Sequence, residues 1–410
     1  MIDDSSIAAS YKWRILVLAA LTATFAVAMP VMCMPVLFQE ISEELHLSLV
    51  QVGVIWGIGS LPAPLTSLVG GAIGDRFGLR RTLCVACLLI GTAGALRGLA
   101  NSFYTLGAAA ILYGMVSPVI TTNLHKTCGV WFSKEQLGLA NGFIATGMAL
   151  GLMTGAMVSA TVLSPLLGGW RHVLFFYGAV AVALSVPWYL TRPAPAEASA
   201  GAAGARPPRQ SVSRVIRIRN VWQLGLAVLG IGGCVQGTLG YLPLFLRGLG
   251  WTEAGADGAL ATFHAMSMIC VIPLALSSDR LGSRKKALMA TALFIVTGVS
   301  LLSIVQGSAI WVAVILAGFV RDGFMAILMA AVIEAEGVGA AHAGTALGLV
   351  MSLSGMGSLL SPPLGNSLAQ VAPRAPFVFW ATLAAMGLVS LYLVREKRAA
   401  YSQTDGLSSL

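Results

Sequence analysis

Apolar stretches and short polar breaks alternate along the whole chain. Each apolar stretch runs about 20 residues, long enough as a helix to cross a hydrocarbon core of roughly 30 Å. Twelve are read, at 13–37, 50–73, 82–100, 104–128, 137–163, 171–191, 221–246, 255–277, 286–306, 309–333, 343–369 and 375–394. The first follows Lys12 and Arg14 directly and lacks a small-residue cleavage site, so it reads as a membrane span and not as a signal peptide. The fifth and eleventh are interrupted by Gly and Pro and are expected to tilt or kink.

Composition agrees with lipid as the solvent. Of 410 residues, 57% are hydrophobic and only 10% are charged, against about 25% charged in a soluble domain. The 47 Gly residues suit helices that must pack closely without a hydrophobic drive between them. The six Cys residues fall in or at the ends of spans, and Cys84-x-x-Cys87 has no second pair, so packing is the expected role. No metal or cofactor is expected.

The net charge of +9 would suit nucleic acid, but its placement marks topology. With both termini in the cytoplasm, 20 of the 25 Lys and Arg residues fall on cytoplasmic segments. Arg97, Arg171, Arg247 and Arg374 fall outside, and Arg321 lies inside a span. This asymmetry obeys the positive-inside rule and predicts a multi-pass protein of the cell membrane, in a bacterium the inner one.

One long polar segment, 192–220, is rich in Pro, Ala, Gly and Arg and is expected to be a flexible, basic cytoplasmic linker. Its end, SVSRVIRIRN, suits either an anionic membrane surface or solvent. It divides the chain into a bundle of six spans at 1–191 and a second at 221–410 with a short tail. The halves are related. GDRFGLRR at 74–81 recurs as SDRLGSRK at 278–285, and the same shift of 204 lays Gly114 on Gly318 and Ser117 on Arg321. Parallel repeats imply a pseudo-two-fold axis along the membrane normal with a substrate path at the seam. The predicted class is an all-α membrane protein with twelve transmembrane helices in two pseudo-symmetric six-helix bundles.

The G-D-R-x-G-x-R-R pattern between spans 2 and 3, its degenerate copy between spans 8 and 9, the two halves and the central basic loop resemble the major facilitator superfamily. Trp131-Phe132 with Lys134, Glu135 and Gly138 resembles that superfamily's turn between spans 4 and 5. Within it, the chain looks most like the bacterial branch of cyanate and nitroimidazole transporter relatives and nitrate porters. The resemblance implies a cytoplasmic latch between the halves formed by Gly74, Asp75, Arg76, Gly78 and Arg80, with Asp279, Arg280, Gly282 and Arg284 as its second copy. Physically, Asp75 can accept hydrogen bonds at a helix N-terminus, the Arg residues can pair with acidic groups or lipid phosphate, and the glycines allow a tight turn. The bland account is topology-setting charge alone. Many proton-coupled drug exporters of the superfamily carry an Arg in span 4. Here Ala109 to Gly114 contains none.

Arg321 is the candidate of most interest. An Arg near mid-span costs at least about 2.5–3.5 kcal/mol to insert and faces a cavity or a partner. It reads as an anchor for a substrate anion, or else as half of a structural ion pair. Adjacent helix residues point about 100° apart, so Asp322 is not expected to face it directly and is the candidate for carrying a coupled proton. His264, Tyr241, Tyr113, Gln236 and Trp56 are candidate cavity liners, each with ordinary packing as its alternative. One fixed cation suits a monoanion such as a monocarboxylate.

There is no Walker A loop, no H-E-x-x-H and no G-x-S-x-G, so neither ATP nor catalysis is expected. The predicted function is a secondary transporter of a small organic or inorganic anion, coupled to protons or to anion exchange. The alternatives are an exporter of lipophilic or cationic compounds and, from another class, a membrane sensor. Expected partners are the substrate and membrane lipids, with no nucleic acid and a monomeric state.

Overall fold

The computed structural model describes residues 4–133, 135–192, 209–280 and 283–395. Among them there are helices and no strands, as lipid demands, because a helix satisfies its backbone polar groups internally. Twelve helical segments are long and apolar enough to span a membrane. The chain is a multi-pass membrane protein. The spans match the hydropathy pattern and overrun it where polar residues continue the helix. Span 1 runs Tyr11–Leu45, eight residues past its apolar core, because Gln39, Glu40, Glu43 and Glu44 remain helical until His46 adopts a left-handed conformation.

Residues 11, 192, 285 and 395 mark one face of the molecule. Tyr11 Oη accepts from the Arg192 amide (2.6 Å), and Lys285 Nζ donates to the Tyr392 and Val394 carbonyls (2.7 and 2.8 Å). This is called the terminal face and the other the distal face. The two six-helix bundles are internally packed through small residues. A Cβ on Gly114 would stand 2.0 Å from the Gly59 carbonyl oxygen, and one on Gly318 would stand 2.6 Å from that of Phe263. Gly318 and Phe263 each lie 204 residues beyond Gly114 and Gly59. The repeat read from the sequence is therefore also a repeat of helix contacts, span 4 on span 2 and span 10 on span 8.

Between the bundles, contact is concentrated toward the distal face. Gly53 and Gly57 of span 2 lie against the backbone of Pro362 and Leu359 in span 11, with Cβ positions 2.8 and 2.5 Å away. Arg247, buried at the end of span 7, donates to the Val36 carbonyl of span 1 (2.6 Å) and pairs with Asp257 of span 8 (2.6 Å). Toward the terminal face, Gly138 and Gly142 of span 5 and Gly344 and Gly348 of span 11 have no heavy atom within 4 Å of where a Cβ would stand. Span 11 packs extensively on the first half of span 2, Leu49–Ile58, and only sparsely on the second, Ala63–Phe77, so the bundles meet distally and separate toward the terminal face.

Of the 192–220 linker, 193–208 lie outside the described residues. The remainder is more ordered than its composition suggests. Arg209–Ile216 is a helix, Val215 is fully buried against the second bundle, and the Trp222 indole donates to the Ile216 carbonyl (2.7 Å). Val215 is the buried apolar position of this stretch, with Arg214 and Arg217 exposed beside it.

Candidate functional site

Two spans break at mid-membrane. Span 2 consists of Leu49–Ile58 and Ala63–Phe77, separated where Pro62 and Pro64 withhold backbone donors. Span 10 consists of Ala309–Gly318 and Arg321–Glu334, separated at Phe319–Val320. Beside both breaks lies a cavity of about 260 Å³, lined from the first bundle by residues including Trp56, Gly59, Ser60, Arg97, Tyr113 and Ser117, and from the second by Gln236, Leu239 and Arg321. Ser117 and Arg321, superposed by the internal repeat, both reach it.

The break at 319–320 changes the chemistry of Arg321 and Asp322. They do not sit within an unbroken helix but open a new one. The Arg321 Nη1 to Asp322 Oδ1 distance is 2.7 Å, so the expectation that neighbouring side chains would diverge is corrected. At a helix start the first-turn amides need acceptors. The Asp322 amide finds one in Ser267 Oγ of span 8 (3.1 Å), and the positive end of the half-helix favours the Asp322 carboxylate. Both side chains remain about 30% exposed.

The other expected liners divide. Trp56 faces the cavity and its indole donates to the Gln236 carbonyl (2.7 Å), joining the bundles. Gln236 lines the opposite wall. Tyr113 lines the cavity with its ring, but its hydroxyl is engaged by the Ala26 and Val27 carbonyls (3.0 and 3.1 Å) of a π-helical stretch, Thr22–Ala28, in span 1. Pro30 lacks the N–H that would otherwise close on Ala26. Tyr241 and His264 are not among the cavity-lining residues. Tyr241 belongs to an aromatic cluster with Phe245, Phe377 and Trp380, and its hydroxyl donates to Pro373. His264 is 1% exposed, packs against Phe263, and lies within electrostatic reach of Arg321 and Asp322.

Arg97 was counted with the outside charges, near the outer end of the span read at 82–100. It is instead 3% exposed within span 3, Leu79–Gly98, and lines the cavity. Nη1 donates to the Pro30 carbonyl (3.1 Å), and the guanidinium lies 4.0 Å from the Tyr113 ring centroid. The available signal was its setting, Ala95-Leu96-Arg97-Gly98-Leu99-Ala100, where apolar residues continue past the charge.

In the motif between spans 2 and 3, Asp75 does not cap a helix. It lies within Ala63–Phe77 and pairs with Lys126 of span 4 (2.7 Å), whose Nζ also donates to the Gly71 carbonyl (2.7 Å). Gly74 gives room to Asn123, whose Oδ1 occupies the place of a Cβ. Gly78 turns the chain at φ 81°, a conformation that favours glycine. Arg76 lies over Phe77 and Arg80 over Tyr189. These contacts stay within the first bundle. In the second copy, Gly282 and the side chains of Asp279 and Arg280 lie outside the described residues. Arg284 approaches Glu334 of span 10 at 3.5 Å.

Among the described residues, twelve membrane-length helices form two bundles related by the internal repeat, with broken spans beside a cavity between them, the architecture of a repeat-built membrane transporter. The chain belongs to the Major Facilitator Superfamily, whose profile matches residues 16–349. It is similar to a probable L-galactonate transporter of Escherichia coli, 25% identical over 50% of this chain and 48% of that protein. It is also similar to the probable nitrate/nitrite antiporter NarK1 of Thermus thermophilus, 27% identical over 67% of this chain and 63% of that one. The match to the first relative thus spans about half of that protein's length. Among solved structures, the nucleoside transporter NupG superposes with a TM-score of 0.79 over 93% of this chain and 98% of that one, at 12% identity. The superfamily and these relatives are transporters, which are not enzymes.

Proposed function

We propose that this transporter moves a small anion by alternating access, with Arg321 binding its anionic group. The observation that carries the reading is Arg321 at the start of a mid-membrane half-helix, lining the cavity between the bundles. An Arg there is costly unless a partner or a ligand uses it, and its planar fork suits a carboxylate or an oxyanion. Relatives named for galactonate and for nitrate and nitrite support the same class. Asp322, bridged to Arg321, is the candidate for a coupled proton, and exchange for a second anion is the other means of coupling.

The Lys and Arg asymmetry supports a cytoplasmic terminal face, so the conformation is inward-open in the cell membrane. Residues 1–191 and 221–410 are the rocking units, 192–220 tethers them, and a monomer suffices. Asp75, Arg76 and Arg284 form the latch, released here and closed when the protein faces outward. His264 then acts by supporting the Arg321–Asp322 pair from behind, and Tyr241 by packing.

The test is equilibrium binding of nitrate and of L-galactonate to purified wild type and Arg321→Ala, with folded yield measured on both. Binding by the wild type, lost in a folded Arg321→Ala protein, is expected. Unchanged binding removes Arg321 from the site. Export of lipophilic compounds has one observation in its favour, because the rest of the wall is largely apolar, with Val31, Met32, Met34, Phe38, Ile55 and Leu152. Stabilisation of the wild type by lipophilic amines and by no anion would select that reading.

A further inference from the structure

The cavity wall holds a second cation besides Arg321. Arg97 is 3% exposed and lines the cavity from the first bundle. Its one hydrogen bond, from Nη1, goes to a neutral acceptor, the Pro30 carbonyl at 3.1 Å. Its Nε and Nη2 are buried without a hydrogen-bond partner, and among the described ion pairs it has no carboxylate. Nε and Nη2 flank one edge of the guanidinium plane, whose two parallel N–H groups match a carboxylate or a nitrate once the wall beside them gives way to the ligand.

The neighbourhood holds this edge in place. Tyr113 stacks on the guanidinium at 4.0 Å, and its hydroxyl is tied to the Ala26 and Val27 carbonyls. Arg97 is thereby fixed between spans 1, 3 and 4. A guanidinium stays charged at any physiological pH, and burying it without a counter-ion is strongly unfavourable. Arg247 shows how the same protein treats a buried Arg whose role is structural, because it is paired with buried Asp257 at 2.6 Å. Arg97 lacks such a partner among the described ion pairs and lines the cavity between the bundles.

We infer that Arg97 is a second anion-binding residue of the cavity, clamping from the first bundle the substrate that Arg321 meets from the second, and that the substrate is a monoanion with at least two acceptor oxygens. The class follows from the fixed charges. Arg97 and Arg321 are positive and Asp322 is negative, so the three leave one positive charge for the ligand to neutralise. A clamp drawn from both bundles also gives the ligand a means of closing them, because both contacts are made best when the halves approach.

This inference rests on the reading of the cavity as an anion site, and the test separates the two. Nitrate and L-galactonate are titrated into purified wild type, Arg97→Gln and Arg97→Lys, following dissociation constants and the melting temperature with and without anion. Loss of charge-assisted hydrogen bonds predicts affinity about 10- to 100-fold weaker in Arg97→Gln. Arg97→Lys, which keeps the charge and loses the fork, should fall between. Because the buried charge is uncompensated in the empty protein, Arg97→Gln should melt no lower than wild type without anion and should lose the anion-induced rise. Wild-type binding with unchanged affinity in folded Arg97→Gln would overturn the role of Arg97 and leave the anion reading standing. A marked fall in the anion-free melting temperature would overturn it in favour of a structural role. Failure of the wild type to bind either anion, or acetate and formate beside them, would remove the anion reading and the clamp together.

Discussion

Arg321 and Asp322 show what a residue's local backbone adds to its chemistry. On an unbroken helix they would leave the axis about 100° apart, whereas here they open a half-helix and bridge at 2.7 Å. If Asp322 carries the coupled proton, Asp322→Asn should permit exchange of anion for anion and block uphill accumulation. Proteoliposome counterflow compared with uptake under a proton gradient measures both, and loss of both would make Asp322 only the structural partner of Arg321. At this scale the sequence was legible where a single residue broke the apolar pattern, as Arg321 does. Arg97 was missed because it stands near the outer end of its span, where a charge is counted with the outside ones and not as a cavity residue. His264 and Tyr241 read as liners because the angular position of a side chain around a fully apolar helix leaves no trace in hydropathy.

Glycines give the residue scale a second test. A methyl at Gly114 meets the Gly59 backbone, which cannot yield as a side-chain tip would. Gly114→Ala should therefore cost about 1–3 kcal/mol, the range of overpacking in a filled interior. Gly142 has open space, and Gly142→Ala should stabilise its helix by about 0.5–1 kcal/mol. Unfolding in detergent compares the two, and equal effects would contradict the packing described.

Among elements, the breaks in spans 2 and 10 stand out because both lie beside the cavity. The first was foreshadowed by Pro62 and Pro64, although interruptions were expected in spans 5 and 11 and not in span 2. The second was not, because Gly318 and Gly323 are common in membrane helices and neither obliges a break. The distal seal lies at the same scale. Arg247 holds span 1 to span 7 through the Val36 carbonyl and is itself held by Asp257. Arg247→Gln should loosen this contact and shift the population toward a distally open state. Spin labels at positions 46 and 252, in the distal loops, should then report longer distances than in the wild type. An unchanged distribution would show that the Gly53 and Gly57 contacts seal the face alone.

For the molecule as a whole, the fold class, the number of spans and the internal repeat were all legible, because each follows from length, hydropathy and self-similarity. The conformational state was not, because the same helices serve both faces of the cycle and only their contacts differ. Orientation rests on the charge asymmetry. Cysteine introduced at position 203 should label from the cytoplasm and at position 44 from outside, and labelling of both from one side would end the topology as drawn. The proposed transport cycle is alternating access of the cavity to an anion. Its most direct test is uptake of labelled nitrate and L-galactonate into proteoliposomes containing wild type or a folded Arg321→Ala protein, with and without the same anion inside. Saturable uptake of at least one anion by the wild type, stimulated by internal anion and lost in Arg321→Ala, is the predicted result. No saturable uptake of either anion, from liposomes that do move a lipophilic cation, would contradict it.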